Sequence, residues 1–196
     1  MVRIAILLLW LVSPGPAFGQ KPLDHVVVTG QEKNLSLCGH VGDAWVYRFV
    51  ITLQARNVGN QPVIIRSASA LADYYKVATS LDRLRTQAYA HIGWITSDAR
   101  KDPTSIPTQP ESPFKVVAPN RSVDIDVDSR VIVFGELKPG PSYIQVVAEN
   151  WPAYSDEYIA KLRLAWISQG ILWAHSLHTE PIAFTVPEGL AESRCP

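Results

Sequence analysis

The chain has 196 residues, 47% of them hydrophobic, and its 18 Lys and Arg are matched by 18 Asp and Glu. That balance argues against nucleic acid or an anionic membrane as the main partner, because both select a cationic surface that replaces released counterions. The length left after an N-terminal signal suits one domain that buries roughly 70% of the surface its unfolded form exposes.

Residues 1–19, MVRIAILLLWLVSPGPAFG, carry one cation at Arg3, an apolar run from Ile4 to Val12, then Pro14, Pro16 and the small residues Ala17 and Gly19. This is the layout of a secretory signal peptide cleaved after Gly19. Nine apolar residues are less than half of the roughly 20 that a membrane-spanning helix needs. No later stretch of the sequence is long and apolar enough to cross a bilayer. The expectation is a secreted or periplasmic protein without membrane insertion after signal removal, residues 20–196 forming a single domain. Its 17 basic and 18 acidic side chains leave a net charge of −1.

His25 to Val28 is expected to open the first strand, and Leu35 to Leu37 either continues it or begins a second. Cys38 and Cys195 then admit two readings. In an exported protein a disulfide would tie the C-terminal tail to an early strand; the alternative is two unpaired thiols. Neither cysteine stands in a CxxC or CxxH spacing, which argues against a metal site.

From Tyr47 to Arg56 the apolar residues Tyr47, Phe49, Ile51, Leu53 and Ala55 alternate with Arg48, Val50, Thr52, Gln54 and Arg56. A period of two is the mark of a strand with one buried face. Asn57-Val58-Gly59-Asn60-Gln61-Pro62 interrupts it, and Val63-Ile64-Ile65 resumes, so the pair makes either a hairpin or a corner between sheets. Tyr74, Tyr75 and Val77 suggest another strand. Ser80 suits the N-cap of a short helix around residues 80–89, with Leu81, Leu84 and Ala88 on one side.

Between 98 and 119 stand Pro103, Pro107, Pro110, Pro113 and Pro119, so this Pro-rich loop is expected to hold no regular element. Such loops are functional or disordered, and this one is either a binding loop or a solvated crossing between sheets. The strand pattern returns with Val123, Ile125 and Val127 opposite Asp124, Asp126 and Asp128, and Val131 to Phe134 complete it. Leu137-Lys138-Pro139-Gly140 turns the chain into a strand at Tyr143 to Val147. Over residues 158–167 both periods fit. The turn at Ser168-Gln169-Gly170 favours a strand there, closing a hairpin with the apolar run that starts at Ile171.

Asp124, Asp126 and Asp128 are the nearest approach to a metal site, since alternate strand positions lie about 7 Å apart on one face. An EF-hand loop starting at Asp124 would require Gly at 129 and Glu at 135, where this chain has Ser129 and Gly135. A solvated face is the first reading of these carboxylates and calcium the second. His175 and His178, three apart, fall on opposite faces of a strand. No G-x-S-x-G elbow, dinucleotide fingerprint or Walker glycine run occurs, so neither a catalytic residue nor a cofactor is expected. Trp45 and Trp166 sit in periodic runs and belong to the core. Trp94, Trp151 and Trp173 lie near turns and form the candidate binding surface for a protein or carbohydrate ligand.

In order along the chain, ITLQARNVGNQPVII, LKPGPSY, KLRLAWISQG and HTEPIAFTVP resemble immunoglobulin-like and fibronectin type III-like modules of secreted bacterial proteins. The resemblance spans roughly 110 residues and implies an antiparallel β-sandwich of seven to nine strands. It also implies a tyrosine corner at Tyr143. The function it suggests is an exported, non-catalytic binding or structural module. A proteinase inhibitor of the bacterial Ig-like type is the runner-up, and a hydrolase with an unrecognised site comes third.

Overall fold

A computed structural model describes residues 25–67, 71–91, 102–149 and 154–195. The expected signal peptide, Trp94 and Trp151 lie outside them. In chain order the elements are β1 (Val26–Val41), β2 (Ala44–Asn57), β3 (Val63–Arg66), β4 (Leu71–Ala78), α1 (Leu81–Thr86), β5 (Ala90–His91), β6 (Phe114–Val117) and β7 (Ser122–Phe134). The remainder are β8 (Gly140–Glu149), α2 (Asp156–Ala165), β9 (Ile171–Trp173), β10 (Leu177–His178) and β11 (Ile182–Val186). Three sheets form. The first is β1-β2-β7; the second is β10-β8-β4-β5 with β11 also on β8; the third is β6-β3-β9. Among these strand pairs only β3–β9 is parallel.

β1 is one continuous strand rather than two segments, and bulges at Lys33 and Cys38 absorb its two breaks in register with β2. The two strands join through Gly42-Asp43, with Gly42 at φ +60°, a conformation glycine adopts without a Cβ penalty. The alternation on β2 is realised: Tyr47, Phe49, Ile51, Leu53 and Ala55 are buried, together with Val123, Ile125, Val127 and Val131 of β7. In one core cluster they meet Tyr75 and Val77 of β4, Ile144 and Val146 of β8, and Ile182, Phe184 and Val186 of β11. Phe49 and Phe184 touch edge to face at 5.1 Å. Each such side chain contributes about 1.5–3 kcal/mol when fully buried.

β2 and β3 do not pair, so the stretch after Asn57 is a corner between the first and third sheets. The buried Asn57 side chain pins it: Nδ2 donates to the carbonyls of Gln61 (2.8 Å) and Val117 (2.9 Å), and Oδ1 accepts from the Gly59 amide (2.9 Å). Val63 and Ile65 then face the main core, while Ile64 faces a second cluster with Phe114, Tyr158, Leu162, Trp166 and Leu172. A strand covered on both faces needs an unbroken apolar run, which explains three β-branched residues in succession.

The expected strand over 158–167 is instead the helix α2. Ser155 caps it by accepting from the Tyr158 amide at 3.1 Å, Asp156 and Glu157 occupy its first turn, and Glu157 pairs with Lys161 at 2.6 Å. Tyr158, Leu162 and Trp166, spaced by four, are all buried in the second cluster. No closing hairpin forms, because Ile171 to Trp173 pair in parallel with β3. The Pro-rich loop also departs from expectation: Phe114–Val117, between Pro113 and Pro119, pair with β3 as β6. The chain is mostly β, as expected, with the short helix anticipated around residues 80–89 and a second one, α2, that was not; eleven strands stand among the described residues where seven to nine were expected.

Helix α1 begins as expected at Ser80, whose hydroxyl accepts from the Arg83 amide at 3.3 Å. Leu84 is its buried contact, whereas Ala88 lies beyond its end and is exposed. Two tyrosines tie strands together. The Leu137 amide donates to the Tyr47 hydroxyl at 2.9 Å, so β2 supplies the hydroxyl at the turn where the resemblance implied Tyr143. The Tyr75 hydroxyl donates to the Ile132 carbonyl and accepts from the Ile132 amide at 2.9 Å. Among the described residues no helix is long and apolar enough to cross a membrane.

Candidate functional site

The described part of the Pro-rich segment is fastened to α2 and the turn after it by side chains that reach its backbone and by contacts to Asp102. Trp166 Nε1 donates to the Pro107 carbonyl at 2.7 Å, Gln169 Nε2 to the Thr108 carbonyl at 3.0 Å, and the Tyr158 hydroxyl to the Ser105 carbonyl at 3.4 Å. Asp102 accepts from both the amide and the hydroxyl of the cap residue Ser155, and these bonds hold its carboxyl below the usual carboxylate range. Phe114 meets Trp166 edge to face at 4.9 Å, and Tyr154 stacks on Tyr158 at 5.2 Å. The segment thus covers an aromatic cluster.

Where α2 ends, an open cleft of about 470 Å³ remains, formed with the corner after β2 and the start of β9. Arg163 and the exposed Ile167 come from the helix end, Gln169 and Gly170 from the turn after it, and Gln61 and Pro62 from the corner. Gly170 makes this meeting possible. It has φ +155°, and a Cβ there would stand 2.7 Å from the Pro62 carbonyl oxygen, which accepts from the Ile171 amide at 2.9 Å. The cleft is apolar with a few polar groups at its margin, and its size falls within the range of ligand sites.

Cys38 and Cys195 are joined in a disulfide. The tail runs beside β1, with Glu192 bridged in parallel to Leu37 and the Ser193 amide donating to the Leu37 carbonyl at 2.8 Å. On the outer face of the first sheet, next to the disulfide, is a hollow of about 290 Å³ lined by His40, Val41, Val46, Arg130 and Glu192. The sheet end beyond it is apolar and uncovered: Phe134 is 88% exposed, Val41 74% and Ile132 53%.

The three aspartates do share one face of β7, as their spacing requires, and each has a cross-strand partner. Asp124 accepts from Gln54 at 3.4 Å, Asp126 from Thr52 at 2.7 Å and Lys33 at 3.1 Å, and Asp128 from Arg48 Nε at 2.7 Å. The hydrogen bond from Thr52, then that from Lys33, lowers the Asp126 pKa; the bond from Arg48 does the same for Asp128. Among the described residues no three His, Cys, Asp or Glu side chains come together in a group able to hold a metal ion. Trp173 is half-buried against the main core, its ring edge-on to His175 at 4.9 Å. His178 is exposed on β10, and His40 lies tilted against Trp45 at 5.8 Å. The disulfide leaves no thiol at Cys38, so Cys38 and His40 form no nucleophilic pair.

Sequence reasoning passes over Ile132 and Phe134. The signal is present: the outward positions of β7 are polar from Ser122 to Arg130 and then apolar at Ile132 and Phe134.

The chain matches no family description and no curated relative. Among solved structures, the X-ray structure of Northeast Structural Genomics Consortium target SoR45 is 12% identical, the alignment covering 86% of this chain and 90% of that one with a TM-score of 0.32.

Proposed function

We propose that the protein is an exported, non-catalytic immunoglobulin-like β-sandwich module that binds a protein ligand at the α2 end. Export is supported by the N-terminal sequence and by the disulfide, a bond that persists in oxidising compartments such as the periplasm or the medium. The sandwich reading is supported by two sheets that contribute to one core cluster, with Phe49 of one against Phe184 of the other.

The observation that carries the binding reading is the cleft beside the fastened Pro-rich segment. Its margin offers Arg163, Gln61 and Gln169 to main-chain and carboxylate groups, and Ile167 to an apolar side chain. None of its lining residues is aromatic, which favours a peptide over a sugar ring needing a flat π-surface. An inhibitory loop would have to stand clear of the body, whereas residues 102–108 lie against α2, so the inhibitor reading has less support.

Peptide and glycan arrays probed with the exported protein test this. The expected result is binding to peptides that pair an apolar residue with a carboxylate, weakened about tenfold or more by Ile167→Asp or Arg163→Glu. Binding untouched by both substitutions, inhibition of a protease panel, or multiple-turnover hydrolysis of peptide, ester or glycoside substrates would overturn it.

A further inference from the structure

On the outer face of the first sheet, the turn end carries two successive apolar rows. Val41, Ala44 and Phe134 face one another across the three strands, and Gly39, Val46 and Ile132 form the next row. Beyond them the face turns polar with Ser36, Arg48 and Arg130. The patch is therefore bounded, and on one side of it lies the hollow next to the disulfide.

We infer that this face pairs two copies of the chain around a twofold axis, Phe134 of each copy entering the hollow of the other. The first reason is shape. A projecting side chain and a recess occur on the same face, which is what a self-complementary twofold contact requires. A cavity of about 150 Å³ holds a benzene ring, so a hollow of about 290 Å³ admits the phenyl group.

The second reason is chemistry. Val41 and Val46 give the ring an apolar wall inside a lining that is otherwise largely polar, where Arg130 donates to the Cys195 carbonyl at 3.5 Å. Arg130 and Glu192 are both present at the hollow, so the approach of a second copy brings opposite charges as well as like ones. The mature net charge of −1 adds little repulsion.

The third reason is area. With about 200 Å² for a phenyl ring and somewhat less for Val or Ile, the exposed fractions of Phe134, Val41 and Ile132 amount to roughly 350 Å² of apolar surface per copy. Two copies then cover about 700 Å², roughly three quarters of the apolar share of an interface of standard size and in keeping with a weak dimer.

Sedimentation of the exported protein across a concentration series is the first test. The expected result is a monomer–dimer equilibrium with a dissociation constant in the micromolar range, on the order of 10 μM. Phe134→Asp, at a position 88% exposed and therefore compatible with folding, is expected to raise that constant about 30-fold or more. A monomer persisting to about 1 mM overturns the proposal, as does a dimer that Phe134→Asp leaves intact.

The second test keeps the protein near native. With p-benzoylphenylalanine in place of Phe134, irradiation is expected to link two chains, the label joined to the segment that carries Val41 and Val46. Linkage to any other segment of the second copy, or none at all, rejects the arrangement.

Discussion

The main core and the aromatic cluster under α2 are held by different means. The main core is made where strand ladders bring period-two apolar faces together: β1, β2 and β7 with β4, β8 and β11. In the smaller cluster, Trp166, Tyr158 and Gln169 secure an irregular segment by donating to its carbonyls, and two strands of the third sheet, β3 and β6, also contribute buried side chains to the core. Repetitive backbone satisfies itself, so its side chains only have to pack. Irregular backbone has to be satisfied by side chains, and the same residues then do the packing.

The largest effect that separates the two regions is expected from the disulfide, which fastens the tail to the first sheet and leaves α2 alone. Its 157-residue separation corresponds to at most about 5 kcal/mol of chain entropy, so Cys38→Ser with Cys195→Ser is expected to lower unfolding stability by about 2–5 kcal/mol in a urea titration. Hydrogen exchange in α2 should then follow the global value without further local opening.

Asn57→Ala tests the joint between the regions. It strips partners from the Gln61 and Val117 carbonyls and the Gly59 amide, with an expected loss of about 2–4 kcal/mol. A loss below about 1 kcal/mol would mean that water replaces the side chain and that the corner is not pinned by it.

Two smaller changes probe the cluster and the outer face. Gly170→Ala places a methyl group against the Pro62 carbonyl and is expected to cost about 1–3 kcal/mol, with faster exchange confined to α2 and β9. Asp128→Asn acts on the face opposite the main core. The bond from Arg48 holds the Asp128 pKa down, so the stabilisation is complete above the unfolded pKa and is lost as pH falls through the lower folded value. With 48% of the Asp128 side chain in water, the variant should flatten the acid side of the stability profile by less than about 1 kcal/mol.

The same contrast explains what can be read from the sequence. Strands β2 and β7, the turn at Leu137 to Gly140 and the Ser80 cap follow from local periodicity and cap chemistry, and they appear where expected. Helix α2 escapes a reading that weighs the turn at Ser168 to Gly170 above the Ser155 cap, its two acids and the four-residue spacing of Tyr158, Leu162 and Trp166. β6 escapes because proline density describes the segment as a whole, although Phe114 to Val117 contains none. The cleft has no sequence signature at all. Gln61, Arg163 and Gly170 meet only because β9 returns in parallel beside β3.

One hydroxyl carries a consequence for behaviour at high concentration. Tyr75 engages both main-chain groups of Ile132, so at that position the rim of the first sheet has no unpaired donor or acceptor to template a strand from another molecule. Edge addition at that position is opposed by a single phenol, and Tyr75→Phe, which keeps the ring in place, is expected to leave both Ile132 groups without that partner, read as faster hydrogen exchange of the Ile132 amide.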